Sequence, residues 1–102
     1  MAHVLAIINR KYTDPLFSLE ALSSTVGISQ RQIARLLKSH TGNTFTEYIR
    51  CVRLEKAQQM LVISEAGIRT ICTEIGYSQT GWFARHFRTL TGLTPSGARR
   101  LR

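Results

Sequence analysis

The 102-residue sequence predicts an all-α fold of about seven helices, with one small helical unit on either side of a single long helix. Three observations predict it. Apolar residues recur at helical spacing along the chain. Residues 19–30, LEALSSTVGISQ, have a near-copy in residues 68–79, IRTICTEIGYSQ, at a constant offset of 49. Beyond that point Ile33-Ala34-Arg35 matches Phe83-Ala84-Arg85, and Thr41-Gly42-Asn43-Thr44 matches Thr91-Gly92-Leu93-Thr94, at an offset of 50. The second copy therefore carries one extra residue after its Gly-Tyr turn. A repeat of this period is one supersecondary unit used twice.

Val4, Leu5, Ile7, Ile8 and Tyr12 lie at helical spacing opposite Asn9, Arg10 and Lys11, which gives a short amphipathic first helix. Asp14-Pro15 turns the chain, and Ser18 is placed to cap the second helix. That helix covers residues 19–26 with Leu19, Leu22 and Val26 as its apolar stripe. Gly27 ends it, and Ile28 is expected to be buried against the same stripe. Ser29 and Gln32 form a capping box for a third helix running to about His40, with Ile33, Leu36 and Leu37 inward. Ser23 is small where the two helices approach most closely. Two short helices joined by a tight glycine turn form the helix-turn-helix pattern. An ordinary helical hairpin in a bundle has the same local signals, and one copy alone does not separate the two.

Residues 44–61, TFTEYIRCVRLEKAQQML, read as the long helix, opened by a Thr44/Glu47 capping box. Its apolar residues leave more than one face, as a helix touching both units requires. Its length corresponds to about 26 Å of rigid spacer. Residues 63–67 form the exit loop. In the second unit Ile68, Ile71 and Ile75 repeat the stripe, Cys72 takes the place of Ser23 as a packed thiol, and Gly76 takes the turn. Phe83, Phe87 and Leu90 are expected inward on the next helix. Thr94 caps a last short helix with Pro95 at its first position, where the absent N–H costs nothing. The chain thus divides into a first helix-turn-helix subdomain (1–43), a linker helix (44–62) and a second helix-turn-helix subdomain (63–102).

Charge narrows the function. Fourteen Lys and Arg face six Asp and Glu, a net charge of +8, and eleven of the cations are Arg. Arg offers a planar fork matched to phosphates and guanine edges, so the bias favours nucleic acid over a surface made basic for solubility. Cys51 and Cys72 have no zinc or redox spacing, which fits a reduced chain. The apolar run of residues 4–8 is too short for a signal peptide, and no segment is long enough to span a bilayer. We therefore expect no membrane partner, no metal and no cofactor.

With Ile33, Leu36 and Leu37 inward, the outer face of the third helix carries Gln30, Arg31, Ala34, Arg35 and Lys38. The equivalent face of the second unit carries Thr80, Gly81, Trp82, Arg85, His86 and Thr89. Arg31 and Arg35 suit guanine, Gln30 adenine and Lys38 a phosphate. Trp82 turns about 100° from its neighbour Phe83 and offers a large aromatic to a thymine methyl or sugar edge. Packing on the domain's own surface is the competing reading for Trp82. Ser29 before the first of these helices, and Ser78 and Gln79 before the second, complete the candidate DNA-binding set. Two such helices on one face of a duplex enter successive major grooves about 34 Å apart. A head-to-tail repeat implies half-sites running in the same direction.

These residues resemble the DNA-binding domain of AraC/XylS-type bacterial transcription regulators. The likeness lies in Gly27-Ile28-Ser29, Arg35-Leu36-Leu37-Lys38, Thr41-Gly42, Phe45, Tyr48-Ile49-Arg50, Arg53-Leu54 and Ala57. It continues in Ile75-Gly76-Tyr77, Phe83-Ala84-Arg85, Phe87-Arg88, Gly92 and Thr94-Pro95-Ser96. It covers the chain from about Leu19 to Arg99. The resemblance implies seven helices in two helix-turn-helix units, and control of promoters through contact with RNA polymerase in the bacterial cytoplasm, at the nucleoid. It implies binding as a monomer, unless a further N-terminal domain dimerises the protein. Only eighteen residues precede the first unit, so the sequence is read as either a stand-alone regulator or a piece of a longer chain.

Three positions depart from the family pattern. Gly81 stands where serine is frequent. Gln79 stands where a capping Asp, Ser or Asn is common, which leaves Ser78 as the expected cap. Ala98 replaces a frequent Tyr. The second unit is therefore expected to read DNA less strictly than the first. An enzyme is not expected: Asp14 is the sole Asp, and His3, His40 and His86 share no ligand spacing. His40 suits the C-terminal end of a helix, and His86 a phosphate or water contact. RNA binding on a sheet of exposed aromatics is disfavoured. The serious alternative is a basic helical module that binds an acidic protein partner.

Overall fold

The computed structural model describes residues 1–101, seven helices in all. They are α1 (Ala2–Lys11), α2 (Leu19–Val26), α3 (Gln30–Thr41), α4 (Phe45–Ile63), α5 (Ile68–Glu74), α6 (Thr80–Thr91) and α7 (Pro95–Arg100). The helix boundaries follow the capping chemistry. The Ser18 hydroxyl accepts the Ala21 N–H, and the Ser29 hydroxyl accepts the Gln32 N–H. Thr44 and Glu47 form a reciprocal capping box, with Thr44 N–H to Glu47 Oε1 at 2.8 Å and Glu47 N–H to Thr44 Oγ1 at 3.2 Å. Thr94 accepts the Gly97 N–H over Pro95 at the first position of α7. Asp14 Oδ1 accepts the Leu16 N–H, which sets the turn after α1.

Four expectations need correcting. The capping box at Ser29 is only half made, because Gln32 does not return the bond. Ile28 is half-buried, not fully buried. Gln79, not Ser78, holds the N-cap position of α6, and no side chain caps that helix. The extra residue in the second turn moves Ser78 one place too far from the helix start. Leu90 is 54% exposed and not on the inward face. It lies three residues past Phe87, beside a cleft between α6 and α4 that Asn43, Arg50, Cys51 and His86 also line. In addition α4 runs two residues further than expected, to Ile63, so the exit loop begins at Ser64.

The buried residues form two clusters. The first joins Val4, Ile7 and Ile8 of α1 to Leu22, Ile33, Leu37, Phe45 and Ile49. The second joins Leu54, Ala57 and Leu61 of α4 to Ile71, Cys72, Ile75, Phe83 and Phe87. The long helix thus gives its N-terminal half to one cluster and its C-terminal half to the other. This explains why its sequence shows no single apolar stripe. Edge-to-face ring pairs add to both: Phe17 on Phe45 at 5.7 Å and Phe83 on Phe87 at 5.9 Å. Arg99 of α7 donates to the Leu61 and Ser64 carbonyls, at 3.4 and 3.2 Å, and so closes the C-terminal end of α4.

Candidate DNA interface

Within each unit the same three-part device sets the angle between the two helices. A stripe residue is fully buried, a small side chain stands at the crossing, and a glycine with positive φ reverses the chain. In the first unit these are Leu22, Ser23 and Gly27, with φ of 74° at the glycine. In the second they are Ile71, Cys72 and Gly76, with φ of 93°. The small residue also ties the turn. The Ser23 hydroxyl donates to the Ile28 carbonyl, and the Cys72 thiol sits 3.5 Å from the equivalent carbonyl of Tyr77. Burial raises the Cys72 pKa, which keeps it a thiol and a packing group.

The two helices that follow, α3 and α6, present one surface twice. Over their twelve residues the pattern of buried, half-buried and exposed positions is identical at an offset of 50. Ile33 and Leu37 on α3, and Phe83 and Phe87 on α6, are fully buried. The exposed face of α3 carries Gln30, Arg31, Gln32, Arg35, Lys38 and Ser39. That of α6 carries Thr80, Gly81, Trp82, Arg85, Arg88 and Thr89. Arg35 and Arg85 are thus equivalent, as are Lys38 and Arg88, whereas Arg31 is matched by a glycine. Ser29, Ser78 and Gln79 are exposed in the turns just before these helices. Ala34 is half-buried, at the flank of the face. Gln32 and Arg88 share the exposed face although the sequence reading left them out of the candidate set. The signal was there in the offset of 50, which aligns Gln32 with Trp82 and Arg88 with Lys38.

Trp82 is 50% exposed, and it has partners on its own helix. The Arg85 guanidinium lies 5.0 Å over its ring, a cation–π contact that holds both side chains on the outer face. The His86 ring is also close, with its centroid 5.6 Å from that of Trp82. His86 is half-buried and turned off that face. Its Nδ1 is 3.0 Å from the Tyr77 hydroxyl. Burial, reinforced by Arg50 and Arg85, depresses the His86 pKa and so favours the neutral ring. Burial likewise raises the Tyr77 pKa, against the pull of Arg50 and Arg53.

A helix-turn-helix pair whose second helix shows a cationic outer face is a nucleic-acid-binding class of structure. The comparisons make the class specific. A family model described as a helix-turn-helix domain matches residues 22–101. The HTH-type transcriptional activator RhaR of Escherichia coli (strain K12) is 34% identical over 85 residues, which are 83% of this chain and 30% of RhaR. A crystal structure of a transcriptional regulator of AraC-type DNA-binding-domain proteins from Chromobacterium violaceum is 27% identical, with a TM-score of 0.87. The match covers 95% of this chain and 86% of that one. The DNA-binding domain of AdpA, solved with a target DNA, shares the fold at a TM-score of 0.91 and 24% identity, over 98% of this chain and 89% of that one. The chain belongs to the AraC-type helix-turn-helix family of DNA-binding transcription regulators. It spans about a third of the length of the curated relatives it matches. The family is not an enzyme class, and among the described residues no helix is long and apolar enough to cross a membrane.

Proposed function

We propose that this chain is a two-headed reader of duplex DNA that regulates bacterial transcription. In this reading α3 and α6 enter successive major grooves on one side of the double helix. The observation that carries it is the identical exposure pattern of α3 and α6, with Arg35 and Arg85 at the same place in each. The two buried clusters support a division into subdomains 1–43 and 63–102 with residues 44–62 as linker. The elongated shape, 42 × 22 × 22 Å, suits two recognition helices spaced about 34 Å apart.

Each side chain has a role in this reading. Arg31 and Arg35 fork onto guanine edges, Gln30 reads adenine, and Lys38 grips a phosphate. Ser29 lies beside the phosphate backbone at the start of α3, and Ala34 lies close along the groove wall. On α6, Arg85 reads a base from its seat on Trp82, and Trp82 packs against a thymine methyl or sugar. Thr80, Ser78 and Gln79 approach the backbone, as does His86 from the flank. Gly81 contributes no side chain where the first unit has Arg31, so the second unit discriminates less strictly. The chain binds as a monomer unless a dimerising domain joins it, works in the bacterial cytoplasm, and acts on promoters through RNA polymerase.

Binding to labelled duplexes across a salt series tests this directly. Phosphate contacts make log K fall linearly with log salt at a slope of about −0.9 per phosphate neutralised. We expect several units of slope, and tighter binding to a selected site than to its scrambled version at every salt. A steep slope with equal affinity for both duplexes would contradict sequence reading. A shallow slope, with tight binding to an acidic protein instead, would favour the interaction-module reading.

A further inference from the structure

The two units are not held together by the long helix alone. Arg53, near the middle of α4, reaches back to the end of α1. Its Nε donates to the Tyr12 carbonyl and its Nη2 to the Asp14 carbonyl, both at 2.9 Å. These bonds link residues about forty apart in the chain: one is made to the residue that ends α1, the other to Asp14 in the following turn, whose carbonyl also accepts the Phe17 N–H. The other side of the same guanidinium faces the second unit, 6.0 Å from the centre of the Tyr77 ring. Tyr77 belongs to the turn of the second helix-turn-helix, and its hydroxyl meets His86 on α6.

The glycine of that turn is packed into the same place. A Cβ on Gly76 would collide with the Tyr12 carbonyl oxygen and lie 3.0 Å from Arg53 Nε. At Gly27, the equivalent glycine of the first unit, a Cβ would meet nothing within 4 Å. Only the second turn is therefore clamped against its neighbour. Tyr12 packs against both buried clusters, so the same contact region belongs to both units.

From this we infer that Arg53 is a positioning residue that fixes the spacing and angle between the two recognition helices. It does so by locking the end of α1 to the turn of the second unit through two backbone carbonyls. The inference rests on the two-headed reading for its consequence on DNA, but its structural part does not. A rigid joint confines α3 and α6 to one relative placement. Inserting one base pair rotates and shifts one half-site against the other, since a helical turn is about 10–10.5 base pairs. A locked protein cannot follow that change, whereas a protein loose at this joint can.

The experiment compares the 102-residue chain with Arg53→Gln, which replaces the guanidinium fork by a shorter neutral amide that cannot span both carbonyls, and Arg53→Lys, which keeps the charge on one ammonium nitrogen. Residual dipolar couplings of backbone amides are measured on the free proteins and fitted separately for α2–α3 and for α5–α6. One shared alignment tensor is expected for the parent chain, two distinct tensors for R53Q and an intermediate case for R53K. A single unchanged tensor in R53Q would overturn the lock. Affinity is then measured for duplexes carrying the selected site, with and without one or two added base pairs between its elements. The parent should lose about tenfold or more, an energy of about 1.4 kcal/mol, and R53Q markedly less. Equal losses in both proteins would overturn the link to spacing. If the parent shows no spacing preference, the two-headed reading fails, while the couplings still decide the lock. Should R53Q lose its native amide spectrum, R53K decides alone: a loosened tensor supports the inference and an unchanged one overturns it.

Discussion

Ser23 and Cys72 occupy the same place in the two units and tie the same turn with different atoms. The hydroxyl makes the stronger bond, and the thiol adds apolar packing at a site that is almost fully buried. Cys72 should therefore be inert. With its pKa raised by burial, it should react with a thiol reagent only as fast as the protein unfolds, while Cys51, half-buried on α4, reacts in the native state. Two thiols titrating together in the folded protein would contradict this packing. Local chemistry of this kind was legible in the sequence, because the repeat aligned Cys72 with a serine. The roles of Arg53 and Arg99 were not. Arg53 entered only as part of the family likeness and Arg99 as part of a basic tail, and the carbonyls they bind lie more than thirty residues away. Leu90 misled for the opposite reason: helical spacing placed it near Phe87, and only the position of α4 leaves it beside an open cleft.

At the scale of the element, α4 depends on how it starts. The Thr44/Glu47 box satisfies donors at the N-terminus of the longest helix, which both clusters share. Hydrogen bonds from the Thr44 backbone and hydroxyl, with smaller help from Lys38 and Arg50, hold the Glu47 carboxyl below its ordinary pKa. A depressed carboxyl stabilises the fold above its unfolded pKa, and that contribution is lost as pH falls through the folded value. Thr44→Ala should cost about 1 kcal/mol in urea unfolding near neutral pH. It should also flatten the acid limb of the stability profile. Equal stability of T44A and the parent, with unchanged acid limbs, would contradict the assigned cap. Helix existence, order and most caps were readable because turn glycines and Ser/Thr caps act within a few residues. The start of α6 was misread because one inserted residue moved Ser78 out of capping position.

At the scale of the whole molecule, sequence periodicity foretold two units and a spacer but could not give their mutual contact. That contact is made by backbone carbonyls and by the absence of a side chain at Gly76, neither of which leaves a pattern along the chain. The outer faces of α3 and α6 were largely legible, since burial follows helical period and the repeat supplied a second copy for comparison. The central claim is that each unit reads its own stretch of DNA.

The most direct test is selection from random duplexes by the parent chain, by Arg35→Ala and by Arg85→Ala. A base-reading Arg is worth about 1–3 kcal/mol of discrimination. The parent should enrich a two-part site whose elements lie about one helical turn apart and point the same way. R35A should lose one element and R85A the other. Enrichment of a single element that survives both substitutions, or of none, would contradict a reader with two heads.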